Sequence, residues 1–187
     1  MNIGFAITGS FCTHEQILKP LKTLVDKGNN VVPIVTDMVY NTNTRFGTAK
    51  EFLNKLENIT KNKVVHTIVD AEPLGPKKII DLLVVAPCTG NTLSKLAQAI
   101  TDNAVTMTAK ALMRNNKQII IALASNDALG LNLKNIATLL NNKNVYFVPL
   151  KQDDPTNKPK SLIADFSKIE ETILLSLKNK QIQPLFI

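Results

Sequence analysis

The sequence predicts an α/β protein, a three-layer α/β/α Rossmann-like fold around a six-stranded, mainly parallel sheet. Three observations predict it. Short β-branched runs alternate with stretches of helical period along the whole chain. The runs are apolar at every position, as strands are when helices cover both faces of a parallel sheet. The chain is also of one domain's size, 187 residues, with 44% hydrophobic and 20% charged residues and no linker-like stretch. We assign residues 1–187 to a single domain.

The elements follow in order. Ile3 to Ile7 is a short apolar run that reads as a buried strand, and Thr8-Gly9-Ser10 ends it. Thr13 and Gln16 match a Thr-x-x-Gln capping box, in which the two side chains satisfy free backbone groups at a helix start. Ile17, Leu18, Leu21, Leu24 and Val25 then recur at helical spacing, and Gly28 suits the position past the helix end. Val31 to Val35 is the second strand, and Thr36 to Gly47 is polar and rich in turn residues. Lys50 to Ile59 is helical, with Phe52, Leu53 and Leu56 inward.

The β-branched run Val64 to Val69 reads as a third strand. Asp70 to Pro76 reads as a loop, with a short helix after it at Lys77 to Asp81. Leu82 to Ala86 is the strongest strand signal and runs into Pro87-Cys88-Thr89-Gly90-Asn91-Thr92. A helical stripe follows at Leu93, Leu96, Ala97 and Ile100, and a further helix over Ala104 to Arg114. Ile119 to Leu123 is a strand, Asn132 to Leu140 a helix, and Val145 to Val148 the last strand. Gln152 to Lys160 is a loop, Phe166 to Leu177 an amphipathic closing helix, and the tail ends apolar at Leu185, Phe186 and Ile187. Such a tail docks on its own domain or meets another chain.

Composition excludes several classes. The formal charge is +7, yet Arg45 and Arg114 are the only arginines, tryptophan is absent and aromatics are 5%. Nucleic-acid readers lean on arginine and on exposed aromatics, so the excess reads as a solvated lysine surface and no nucleic-acid partner is expected. No apolar run approaches the roughly 20 residues of a membrane-spanning helix, so no membrane partner is expected. Cys12 and Cys88 form no disulfide framework, the N-terminus has no signal-peptide pattern, and a reduced, cytoplasmic setting is the default. No spacing of His, Cys, Asp or Glu suits a metal.

In open α/β sheets, ligands bind beyond the carboxyl ends of the strands. Here those ends carry Thr8-Gly9-Ser10, Thr36-Asp37, Cys88-Thr89-Gly90-Asn91-Thr92 and Ser125-Asn126-Asp127. Hydroxyls and glycines at a strand-to-helix turn suit a phosphate, which the free N–H groups and positive dipole end of the helix also attract. Neither G-x-G-x-x-G nor G-x-x-x-x-G-K-[ST] is present. That points away from a dinucleotide and towards a mononucleotide such as FMN.

Ala86-Pro87-Cys88-Thr89-Gly90-Asn91-Thr92-Leu93 resembles the "PASANT" motif of the homo-oligomeric flavin-containing cysteine decarboxylases. That group includes phosphopantothenoylcysteine decarboxylase, the lantibiotic decarboxylases and the flavin prenyltransferases. The resemblance implies one flavoprotein-like domain. It also implies a phosphate loop at Gly9, Ser10 and Thr13, a second polar contact at Thr36, and cofactor contacts from Cys88, Thr89, Gly90, Asn91 and Thr92. Ala122 to Asn126 stands where that group has "P-x-M-N" and keeps only the asparagine, which weighs against cysteine decarboxylation.

A closer resemblance, over nearly the whole length, is to the B-subunit family of dipicolinate synthases. It is carried by Gly9 to Thr13, Thr44 to Gly47, His66 to Pro73, Ala86 to Thr92, Gln152 to Pro155 and Gln181 to Pro184. It implies oxidation of a dihydro- or hydroxytetrahydro-dipicolinate precursor to pyridine-2,6-dicarboxylate, in the mother-cell cytoplasm of a sporulating bacterium. It further implies a partner A subunit carrying NAD(P), and a homo-oligomer. Under that reading Arg45, Asn91 and Asn126 bind the dicarboxylate substrate, since a guanidinium can grip a carboxylate bidentately. His66 is the candidate catalytic acid or base. Two other readings stay open: an FMN-dependent decarboxylase or prenyltransferase, and a non-catalytic assembly subunit that has lost its flavin. Ser10 and Thr13 read equally as helix caps, and Cys12 and Cys88 as small packing residues.

Overall fold

A computed structural model describes residues 1–187. The strands are β1 (Asn2–Ile7), β2 (Asn30–Val35), β3 (Leu82–Cys88), β4 (Ile119–Ser125), β5 (Val145–Phe147), β6 (Leu150–Lys151) and β7 (Leu162–Ala164). The helices are α1 (His14–Asp26), α2 (Asp37–Asn41), α3 (Ala49–Thr60), α4 (Ile68–Ala71), α5 (Gly90–Ala97), α6 (Ala104–Arg114), α7 (Leu133–Leu140) and α8 (Ile169–Ser176). Five strands run parallel in the order β2-β1-β3-β4-β5. β4 serves two partners on its far side. Ile119 to Ile121 pair with β5, while Ala124 and Ser125 pair antiparallel with β7, which in turn pairs with β6.

The sheet therefore has seven strands where the sequence predicts six. Five of the predicted six form. The third does not: Val65 alone bridges to Ile34, and the run then turns helical. Thr67 caps that turn, accepting from the Asp70 N–H at 3.1 Å and donating to the Asp70 carboxylate at 2.6 Å. This local Thr-x-x-Asp signal overrides the β-propensity of Ile68 and Val69, which stand exposed. Residues 72–74 form a 3-10 turn where a loop is expected, and no helix forms over Lys77 to Asp81.

Core burial follows the apolar runs. Leu82 to Cys88 is buried at every position, as is Ile3 to Ile7, so helices cover the sheet on both faces. They form two contact groups: α1 packs with α3 and α8, and α6 packs with α4 and α5. Pro33 is tolerated in β2 because β2 is the edge of the parallel set. On its outer side only Val65 pairs, donating its N–H to the Pro33 carbonyl at 2.9 Å, so the missing proline N–H is not needed.

The capping box at Thr13 and Gln16 does not form. A 3-10 turn over Phe11–Thr13 feeds directly into α1, and Thr13 donates both its N–H and its hydroxyl to the Ser10 carbonyl. A capping box does form at α3, between Thr48 and Glu51. Gly28 adopts a positive φ of 81°, as the end of α1 requires. The tail docks on its own domain through its backbone, Phe186 bridging to Leu150 with Ile182 buried, while the Phe186 and Ile187 side chains stay exposed.

Candidate functional site

The strand order 2-1-3-4-5 reverses direction between β1 and β3. Loops leaving two strands on either side of such a reversal diverge and open a crevice at their carboxyl ends. Thr8 occupies that point and is fully buried. Its hydroxyl donates to the Pro87 carbonyl at 2.7 Å and accepts from the Thr89 N–H at 2.9 Å. Its own N–H also reaches the Pro87 carbonyl, at 3.3 Å. One side chain thus ties the loop after β1 to the loop after β3.

Beyond this tie lies a cavity of about 360 Å³, lined by Gly9, Thr36, Thr89, Asn91 and Thr92, with Met38, Lys95 and Asn103 around them. Thr89 caps α5, its hydroxyl accepting from the Thr92 N–H at 3.2 Å. The N–H groups of Gly90 and Asn91, in the first turn, have no intrahelical acceptor. Lys95, the one cationic side chain in the lining, is paired with Asp102 at 2.5 Å. The lining also holds the Asp37 carboxylate, and the donors it offers an anion are N–H groups and hydroxyls. The Thr36 hydroxyl is the telling group: Thr36 is 8% exposed, and its oxygen has no hydrogen-bond partner in the protein. A buried hydroxyl left without a partner costs stability unless something else occupies the place.

Of the predicted cofactor contacts, Gly9, Thr36, Thr89, Asn91 and Thr92 share this cavity. Gly90 sits behind it, where a Cβ would come within 2.6 Å of both the Ser125 hydroxyl and the Asn132 amide. A side chain at this position would have to displace the Ser125 and Asn132 side chains, which pack against α5. Cys88 is fully buried, with its thiol donating to the Thr89 carbonyl at 3.6 Å. Burial pushes its thiol far above the ordinary range, so it is a packing group and no nucleophile. Ser10 and Thr13 lie at the turn into α1, outside the cavity lining, with the Thr13 hydroxyl spent on Ser10.

The predicted substrate and catalytic residues are more scattered. Arg45 is exposed in the Thr44–Gly47 turn, its guanidinium 5.0 Å from the Phe46 ring. Asn126 is exposed after β4 and accepts from the Ser161 hydroxyl at 3.5 Å. His66 is half-buried and stacked on Tyr40, ring centroids 3.6 Å apart, and it lines a different cavity with Asn43 and Lys50. The structure does not bring it to the Thr8 crevice.

A residue that sequence reasoning passes over is His14, the first of α1. It is 7% exposed and stacks on Phe52 with centroids 4.5 Å apart. Its Nε2 lies 2.8 Å from the Thr8 carbonyl. A carbonyl only accepts, so Nε2 carries the proton and Nδ1 carries the lone pair. Burial lowers the ring's proton affinity, partly offset by the bond to Thr8, so the ring is neutral near pH 7. The available signal is Phe11 and His14 three positions apart at a helix start, a spacing that puts them on one face.

This fold, with its crevice at the β1/β3 reversal, defines a class. The chain belongs to the flavoprotein family, whose model matches residues 1–177. It is 46% identical over 185 residues to the B subunit of dipicolinate synthase from Bacillus subtilis, covering 99% of this chain and 92% of that protein. The crystal structure of the dipicolinate synthase B subunit from Bacillus halodurans superposes with a TM-score of 0.91 at 46% identity, over 100% of this chain and 95% of that one. The FMN-dependent cysteine decarboxylase SpaF shares the fold at a TM-score of 0.69 and 19% identity, over 95% and 97% of the two chains. No helix of the chain is long and apolar enough to cross a membrane.

Proposed function

We propose that this chain is the B subunit of a dipicolinate synthase. In this reading it works with an A subunit in the NAD(P)-linked oxidation of a dihydro- or hydroxytetrahydro-dipicolinate precursor. The observation that carries the proposal is 46% identity to a dipicolinate synthase B subunit over 99% of the chain. The absence of a dinucleotide fingerprint supports assigning NAD(P) to the partner.

The cavity suits FMN. The unpartnered Thr36 hydroxyl and the α5 N-terminus offer O–H and N–H donors to a phosphate, in a lining that also holds the Asp37 carboxylate and the Lys95–Asp102 pair. Bound there, FMN supplies a carrier for two electrons. The chain's own residues do the rest of the work. Thr36, Thr89 and the first N–H groups of α5 hold the phosphate. Thr8 keeps the two loops in register without side-chain motion. Asn91, exposed at the mouth, offers a carboxamide to a substrate carboxylate. Arg45 and Asn126 supply further contacts to a dicarboxylate from the surrounding loops. Assembly into a homo-oligomer is part of the same proposal.

The test mixes this chain and a purified A subunit with the precursor and NAD(P) and follows pyridine-2,6-dicarboxylate. The expected result is a rate that rises with added chain until the two subunits are matched. Full-rate formation by the A subunit alone overturns a catalytic share for this chain. Release of CO2 from a cysteinyl peptide by this chain alone overturns the reading altogether. An absorbance spectrum with and without added FMN tests the cofactor separately.

A further inference from the structure

A second cavity, of about 500 Å³, lies on the other side of the α2 start, between the N-terminal ends of α1 and α3. Its walls are aromatic. The rings of Phe11, His14, Phe46 and Phe52 line it, and Phe46 stands 55% exposed. The Arg45 guanidinium lies 5.0 Å from the Phe46 ring centroid, so one face of this ring already carries a cation and the other is left for a ligand.

The polar wall combines three acceptors, His14, Glu15 and Glu51, with the hydroxyls of Thr42, Thr44 and Thr48. Nε2 of His14 is spent on Thr8, so Nδ1 presents a lone pair, and no group of the protein donates to it. Glu15 and Glu51 add carboxylates, the second already accepting from the Thr48 N–H at 3.1 Å and the Thr48 hydroxyl at 2.8 Å. Lys55, the one cation in the lining, is paired with Glu15 at 3.3 Å. A ligand here must offer an aromatic or apolar body and an N–H donor, and a carboxylate on it would face Glu15 and Glu51. A pyridine dicarboxylate is therefore the wrong chemistry for this cavity, although the cavity adjoins the Arg45 turn.

We infer that this cavity is a second binding site, taking a flat aromatic ring that carries an N–H donor, neutral or cationic, with Nδ1 of His14 as the acceptor and the phenylalanine rings as the stacking surface. A carboxamide-bearing pyridine of the nicotinamide type has this chemistry. The cavity has its own lining, joined to the Thr8 crevice only through the bond from His14 to the Thr8 carbonyl, and its binding test needs neither the flavin nor the A subunit.

Calorimetric or ligand-observed NMR titration of the isolated full chain tests it, with nicotinamide and its N-methyl cation as probes. Picolinate, the same ring with an anionic group and no N–H donor, is the competitor. The expected result is saturable binding of one or both probes that picolinate does not displace. His14→Phe keeps the stack on Phe52 but removes the acceptor, and weakens binding about tenfold. Phe46→Ala weakens it several-fold, and because Phe46 is exposed this variant carries the test even where His14→Phe fails to fold. Absence of saturable binding, displacement by picolinate, or unchanged affinity in Phe46→Ala overturns the inference.

Discussion

Replacing Thr8 by valine isolates the tie between the loops after β1 and β3. Valine keeps the shape and removes the hydroxyl that bonds Pro87 at 2.7 Å and Thr89 at 2.9 Å. The Pro87 carbonyl retains the Thr8 N–H at 3.3 Å, but the Thr89 N–H loses its partner. Two lost bonds and one stranded donor amount to about 2–3 kcal/mol. With a urea slope of about 2 kcal/mol/M, the midpoint falls by roughly 1–1.5 M. Thr8→Ser is the control: it keeps both bonds and loses one buried methyl, about 1 kcal/mol. Urea denaturation of the wild type and both variants reads the difference. A Thr8→Val midpoint no lower than that of Thr8→Ser refutes the tie.

Thr36→Val removes a hydroxyl that has no partner, so the flavin-free chain holds or gains up to about 1 kcal/mol in urea, while FMN affinity drops about tenfold by titration. A stability loss comparable to that of Thr8→Val would contradict this account of Thr36. Burial holds His14 below its ordinary value of 6.5, so its contribution is complete above that pH. Below it the unfolded chain takes up the proton more readily, and stability declines as pH falls. His14→Phe should therefore flatten the loss of stability that begins as pH falls below about 6.5, and an unchanged slope counts against a neutral His14. With a thiol reagent, the native chain should react at the exposed Cys12 alone, Cys88 following only on unfolding; two fast thiols would place Cys88 wrongly.

Where packing sets the pattern, the sequence is transparent. β1, β3 and β4 are buried at nearly every position, so each reads as a continuous apolar run. Asn103 and Arg114 bound α6 with an ordinary cap and an ordinary last turn. The Val64 to Val69 run misleads because β-branching is a weak preference and the Thr67 cap a specific one. β6 and β7 escape notice because strands of two and three residues carry no period. Their pairing depends on the last residues of β4, which lie far away in sequence.

The site divides the same way. Gly9, Thr36, Thr89 and Asn91 are legible as small polar residues at strand ends, the one place the fold leaves open. Thr8 and His14 are not, because their roles rest on contacts across the sheet or onto another helix. His66 is placed by a related kind of contact. A lone strand-like histidine invites a catalytic reading, yet its neighbour in space is Tyr40, which only the folded chain reveals.

The outer edge of β5 is closed in an unusual way. The Gln181 side chain accepts from the Phe147 N–H at 2.8 Å and donates to the Phe147 carbonyl at 2.7 Å. An amide on a flexible stem thus stands where a neighbouring strand would. The Phe147 N–H is consequently a reporter of the tail: its hydrogen exchange follows the undocking of residues around Gln181, while the amides of Ile119 to Ile121 follow the opening of the sheet itself. Two adjacent strands of one sheet would then exchange on two clocks, and a C-terminal fusion that disturbs the tail would be visible in the first and silent in the second.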